Sequence, residues 1–108
     1  MALLARVAAT PGAALDLGFD VGRWTAEGLV DAVTVGAFLL TDWNLPVEEW
    51  RAEVGEGVAL YVSTDLNADQ RKASLPTRLL PLEDELLRGF AGGYQAAGAD
   101  GVYLFNFF

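Results

Sequence analysis

The chain repeats one pattern of apolar and polar positions three times: a helix-spaced stretch, a glycine, then a short unbroken apolar run. In "DVGRWTAEGLVDAVTVG" Asp20 stands at an N-cap, residues 21–27 carry the helix, and Gly28 takes the left-handed position that ends it. Residues 30–35 then predict a strand. In "LPVEEWRAEVGEGVALYVST" Pro46 lies near the first helical position and Glu48 and Glu49 in the first turn, where they complement the helix dipole. Gly55 or Gly57 stops that helix, and residues 58–62 predict a buried strand. The third copy, "PLEDELLRGFAGGYQAAGADGVYLFNFF", predicts a helix from Pro81 to about Ala97, a stop at Gly98 and a strand over 102–105.

Leu86, Phe90, Tyr94 and Ala97 recur at three- and four-residue spacing, which gives the last helix one apolar face toward a sheet. Gly92 and Gly93 weaken that helix by roughly 1 kcal/mol each relative to Ala, and close approach of helix to strand is the purpose they suggest. Ahead of the repeats, "LLARVAA" predicts a further strand, followed by a loop through Pro11 and Gly12.

The order is therefore β-α-β-α-β-α-β. Near-continuous apolar strands mark a parallel sheet covered on at least one face, and each helix is the crossover a parallel pair needs. A long polar stretch between the third strand and the last helix is of the kind that is usually functional or mobile. An open dinucleotide-binding sheet would carry G-x-G-x-x-G after its first strand, and "ATPGAALDLGFD" does not. Half of a (β/α)8 barrel fits better, a full one needing about 250 residues. In that reading the terminal Phe107 and Phe108 await structure outside this chain.

Composition narrows the chemistry. With 108 residues, 53% of them apolar, the chain suits a single domain, not a disordered segment. A net charge of −8 disfavours nucleic acid and anionic membranes as partners, and no stretch approaches the roughly 20 apolar residues of a membrane span. "MALLARVAAT" has a slight look of a signal peptide, but Arg6 breaks its apolar core early. The absence of Cys and His removes disulfides, thiol chemistry, histidine-based triads and the usual zinc or iron sets. Only a hard cation held by carboxylates stays open, and no cofactor is expected. A cysteine-free chain fits the cytoplasm without establishing it.

Two strings carry a resemblance. "ARVAATPGAALDLGFDVGRWTAEGLVDAVTVG" and "RGFAGGYQAAGADGVYLFNFF" resemble, in the same order, segments of glycoside hydrolase-like TIM-barrel proteins of the family-10-like glycosyl hydrolase group, largely uncharacterised bacterial ones. The match spans nearly the whole chain, and its ends are its specific parts. It implies a barrel acting on carbohydrate, with this chain as the C-terminal half.

Under that resemblance the working residues sit at the C-terminal ends of strands: residues 6–10, 41–44, 63–65 and Asn106. Glycoside hydrolysis usually needs two carboxyl groups flanking the bond. Every Glu falls on a helix or a helix end, so the strand-end carboxylates are Asp42 and Asp65. Asp42 is the catalytic candidate, because Trp43 beside it offers a platform for a sugar face. The alternatives are that Asp42 starts a turn or caps the next helix, and that Asp65 is an Asx-turn residue. Arg6 either binds substrate or pairs with an acid inside the barrel. Asn106 either meets a sugar hydroxyl or satisfies backbone at the rim. Asp20 is an N-cap, Asp31 lies at the N-terminal face, and Trp24 and Trp50 are packing residues.

Three functional readings follow. The first is a fragment of a glycoside hydrolase-like barrel, inactive by itself. The second is a non-catalytic half-barrel that binds sugar or self-associates into a homodimer through its open sheet edges. The third is an open α/β domain with an unrelated ligand.

Overall fold

A computed structural model of the chain describes residues 1–37, 41–65 and 84–105. Its elements run β1 (Leu4–Val7), α1 (Pro11–Asp16), α2 (Val21–Ala26), β2 (Ala32–Val35), α3 (Val47–Val54), β3 (Ala59–Thr64), α4 (Asp84–Ala96) and β4 (Gly101–Leu104). The strands form one parallel sheet in the order β1-β2-β3-β4. This is the expected α/β unit, resembling half of a (β/α)8 barrel.

One helix was not expected. Pro11 and Gly12 suggest a loop, yet they open α1, because proline at the first helical position gives up only a donor that has no partner there anyway. Thr10 caps the helix by accepting the Ala13 N–H at 3.1 Å. The other stops fall where the glycines predict them. Gly55, not Gly57, closes α3 with φ 77°, and Gly98 follows α4 with φ 112°, both in the left-handed range that favours glycine.

Strand register divides the side chains into two faces. Val7, Val35, Val62 and Val102 are aligned across the sheet, with Ala5, Val33 and Leu60 two positions below. This face packs with Ala14, Val21, Trp50, Val54, Phe90 and Tyr94 from the helices into one core. Trp50 is fully buried, and its indole N–H donates to the Ala9 carbonyl at 2.9 Å, tying α3 to the end of β1. Of the predicted α4 stripe only Phe90 and Tyr94 are buried; Leu86 and Ala97 are exposed.

The expected role of Gly92 and Gly93 does not hold. A methyl group added at either would meet nothing within 4 Å, so neither lets a strand approach. Gly93 instead lines an outer groove of about 240 Å³ with Trp43, Gly89, Phe90, Tyr94 and Ala97.

The opposite face carries the aligned row Arg6, Thr34, Tyr61 and Gly101. It is concave. The Arg6 guanidinium carbon lies 3.9 Å from the ring centroid of Phe105, so the first strand reaches the end of the last. Val102 is level with Val7, so Phe105, three residues on, is level with position 10, four beyond Arg6. In a flat sheet this offset and three strand spacings would separate the two Cα atoms by about 19 Å, beyond the reach of these side chains. A stagger of about one residue per strand, with curvature, is what an eight-stranded barrel of shear 8 requires.

The N-terminal ends of the strands are stapled. Arg51, in the last turn of α3, donates to the carbonyls of Gly55 (3.1 Å), Val58 (3.0 Å) and Gly98 (2.9 Å) and to Asp100 Oδ2 (2.8 Å). The same Oδ2 accepts the Leu60 N–H at 2.8 Å, and Asp31 Oδ2 accepts the Leu3 N–H at 2.7 Å. The Leu60 N–H and Arg51 together hold the Asp100 carboxyl below its ordinary range.

Candidate functional site

Strand alternation delivers Arg6 to the concave face near the C-terminal end of β1, where it is half-buried. Phe105 covers one side of its planar guanidinium. Among the described residues the ion pairs are Arg23–Glu27 and Arg51–Asp100, and neither involves Arg6. Its N–H donors make no hydrogen bond to any described residue. Beside it in the register, Thr34 is fully buried and its hydroxyl has no hydrogen-bond partner among the described residues.

A cavity of about 360 Å³ opens at this end of the sheet, lined by Arg6, Ala8, Gly36 and Ala37 and walled by Leu17 and Phe19. Gly36 is required there. A Cβ at this position would stand 2.8 Å from the Ser63 Cβ, so a side chain would push β2 away from β3.

Asp65 follows β3 and is 5% exposed. Its backbone is clasped by Thr41: the Thr41 hydroxyl donates to the Asp65 carbonyl at 3.1 Å and accepts the Asp65 N–H at 3.3 Å. The Thr41 and Thr64 hydroxyls lie 2.7 Å apart. Either hydroxyl can donate to the other, the remaining proton going to the Asp65 carbonyl, which lies 3.1 Å from Thr41 Oγ1 and 3.3 Å from Thr64 Oγ1. Thr41, the residue before Asp42, thus ties the end of β3 to the segment that leads into α3.

Asp42 itself is in a turn. Its Oδ1 accepts the Asn44 N–H at 2.8 Å, so it starts a turn, one of the two alternatives to a catalytic role, and its carbonyl accepts the Tyr94 hydroxyl at 2.6 Å. The Leu45 N–H in turn donates to the Tyr94 oxygen at 2.9 Å. Burial raises the Tyr94 phenol above its ordinary pKa, opposed by the Leu45 bond and helped by the Asp42 charge. Trp43 turns to the helix layer, meeting Phe90 edge-on with centroids 5.6 Å apart, and Phe90 meets Tyr94 in the same way at 4.7 Å. Trp43 therefore belongs to the groove along α4, not to the cavity beside Arg6.

Asn106 lies outside the described residues. Glu27, Glu48, Glu49, Glu53 and Glu85 sit on helices or a helix end, as their spacing predicts. Among the described residues no three carboxylates gather to hold a cation, and no helix is long and apolar enough to cross a membrane. Thr41 falls in the strand-end stretch 41–44 that the sequence points to, whereas Thr34, Gly36 and Phe105 are not among its site candidates. Thr34 has a signal, a hydroxyl inside the apolar run "AVTVG"; the other two become visible only through register and curvature.

A curled parallel sheet, stapled at its N-terminal ends and open to a cavity near its C-terminal ends, defines the class: an α/β half-barrel unit with its candidate site where barrel folds place theirs. No family profile and no curated protein matches the chain.

Proposed function

We propose that this chain is a glycoside hydrolase-like half-barrel that binds carbohydrate at the C-terminal ends of its strands, with Arg6 and Asp65 as its polar contacts. The carrying observation is Arg6: a half-buried cation at a cavity mouth whose donors meet no described residue. A structural arginine on an inner barrel face would need a partner to offset its desolvation. The apolar walls formed by Leu17 and Phe19 suit the C–H face of a sugar ring, and Asp65 is the strand-end carboxylate proposed to meet its hydroxyls.

Calorimetric titration of the full chain with a panel of oligosaccharides tests this. Binding should weaken about tenfold or more in Arg6→Gln and in Asp65→Asn, the loss of a charged hydrogen bond. A chain that takes up no saccharide at millimolar concentration refutes the reading. Asp42 is the carboxylate proposed for acid–base work. If reducing ends are released, Asp42→Asn must abolish the release; turnover surviving in that variant removes Asp42 from catalysis.

A second reading, a homodimer, is favoured by the exposed apolar residues at both sheet edges: Leu3 and Leu4 at β1, Tyr103 and Leu104 at β4. Unpaired parallel edges invite a further strand. Sedimentation giving a monomer across the micromolar range refutes it.

A further inference from the structure

Resting on the carbohydrate reading, we infer that the sugar held at this site is acidic, its carboxylate bound edge-on by the Arg6 guanidinium.

Four observations converge. The chain holds fifteen acids against seven bases, so a partner for Arg6 would be easy to supply, yet no described carboxylate pairs with it. A half-buried cation without a counter-charge is a standing cost that an anionic ligand removes, whereas a neutral sugar hydroxyl removes only part of it. The Arg6 guanidinium carbon lies 3.9 Å over the Phe105 ring, which occupies one side of the group, and a guanidinium's planar N–H fork matches a carboxylate with two parallel hydrogen bonds. The cavity beside it, about 360 Å³, is within the range of small-molecule sites, and its remaining walls are apolar or backbone. Finally, the Thr34 hydroxyl, fully buried and without a described partner, sits next to Arg6 in the register on the same face, so that strand position offers Arg6 no counter-charge. A phosphorylated sugar shares the anionic chemistry; the planar fork and the single guanidinium favour the carboxylate.

Glucuronate- and galacturonate-containing oligosaccharides, their methyl esters and sugar phosphates, each titrated into the full chain, separate the possibilities. The ester keeps ring and linkage but loses the charge, so this comparison needs no variant. Free acids should bind about tenfold or more tightly than their esters, with an advantage that shrinks as salt rises. Arg6→Gln should erase that difference, and Arg6→Lys, keeping the charge without the fork, should keep only part of it. Esters binding as well as acids overturns this inference and leaves the carbohydrate reading standing. Sugar phosphates binding where uronates do not overturns the carboxylate assignment. No saccharide binding at all overturns both.

Discussion

Arg51, at the N-terminal ends of the strands, donates to three carbonyls and a carboxylate; Arg6, near the C-terminal ends, donates to no described residue. The two share a sheet and differ in what surrounds them. Arg51 is reached by the loops that bring the chain from helix back to strand, whose free carbonyls need donors. Arg6 faces the inside of the curl, where Thr34, Tyr61 and an aromatic ring are its described surroundings and no described carboxylate pairs with it. The lesson is that an arginine's role is read from its acceptors. One end of this sheet is closed by its own hydrogen bonds, and the other keeps donors in reserve.

The strongest attack on this contrast is Arg51→Ala. The side chain is 15% exposed, and its loss would leave the carbonyls of Gly55, Val58 and Gly98 and the Asp100 carboxylate short of a partner together. A loss of about 2–3 kcal/mol is expected, lowering the melting temperature by about 10–20 °C in a domain of this size. Thermal and urea melts that fall below about 0.5 kcal/mol would show that the rim is not stapled.

Tyr94→Phe comes next. The phenol bridges the Asp42 carbonyl and the Leu45 N–H, so removing it leaves two backbone groups of the turn around Asp42 unsatisfied. The expected loss is about 1–2 kcal/mol. The same hydroxyl gives a pH signature. Its folded pKa lies above the ordinary 10.0, so the folded state holds the proton more tightly and stability falls as pH rises past 10. Tyr94→Phe should lose that alkaline decline, and an unchanged alkaline limb would place the phenol in solvent.

How much of this was legible beforehand follows the range of the interactions. Asp20, Gly28 and Gly98 were readable because a cap or a left-handed turn is decided within a few residues. The parallel order was readable because buried strands are apolar throughout. Pro11-Gly12 suggests a loop but opens α1, since proline breaks a helix in its interior and is accepted at its first position. Trp43 beside Asp42 suggested one site, but adjacent residues point to different sides, and only the position of Phe90 shows which side Trp43 takes. The pairing of Arg6 with Phe105 depends on sheet curvature, which no local pattern encodes.

A smaller effect is expected at Asp100. Its carboxyl is held below the ordinary value of 3.8 by the Leu60 N–H first and Arg51 second. A depressed folded pKa means the stabilisation is complete above pH 3.8 and disappears as pH falls toward the lowered value. The side chain is 50% exposed, so solvent screens much of it. Asp100→Asn should flatten the acid limb of a stability–pH curve while leaving the limb above neutrality alone. Equal acid limbs in the two proteins would place the acid sensitivity elsewhere.

The smallest effect on folding should come from Arg6→Gln, and it is the sharpest test. Only the stacking on Phe105 is lost, worth about 0.5–1 kcal/mol, and removing a cation with no described counter-charge returns some of that through easier burial. The melting temperature should therefore move far less than in Arg51→Ala. If the two variants fall together, Arg6 is a second structural staple, its donors are not held in reserve, and the contrast between the ends of the sheet disappears. If Arg6→Gln melts like the parent chain while uronate binding is lost, the same residue type serves the fold at one end and a ligand at the other.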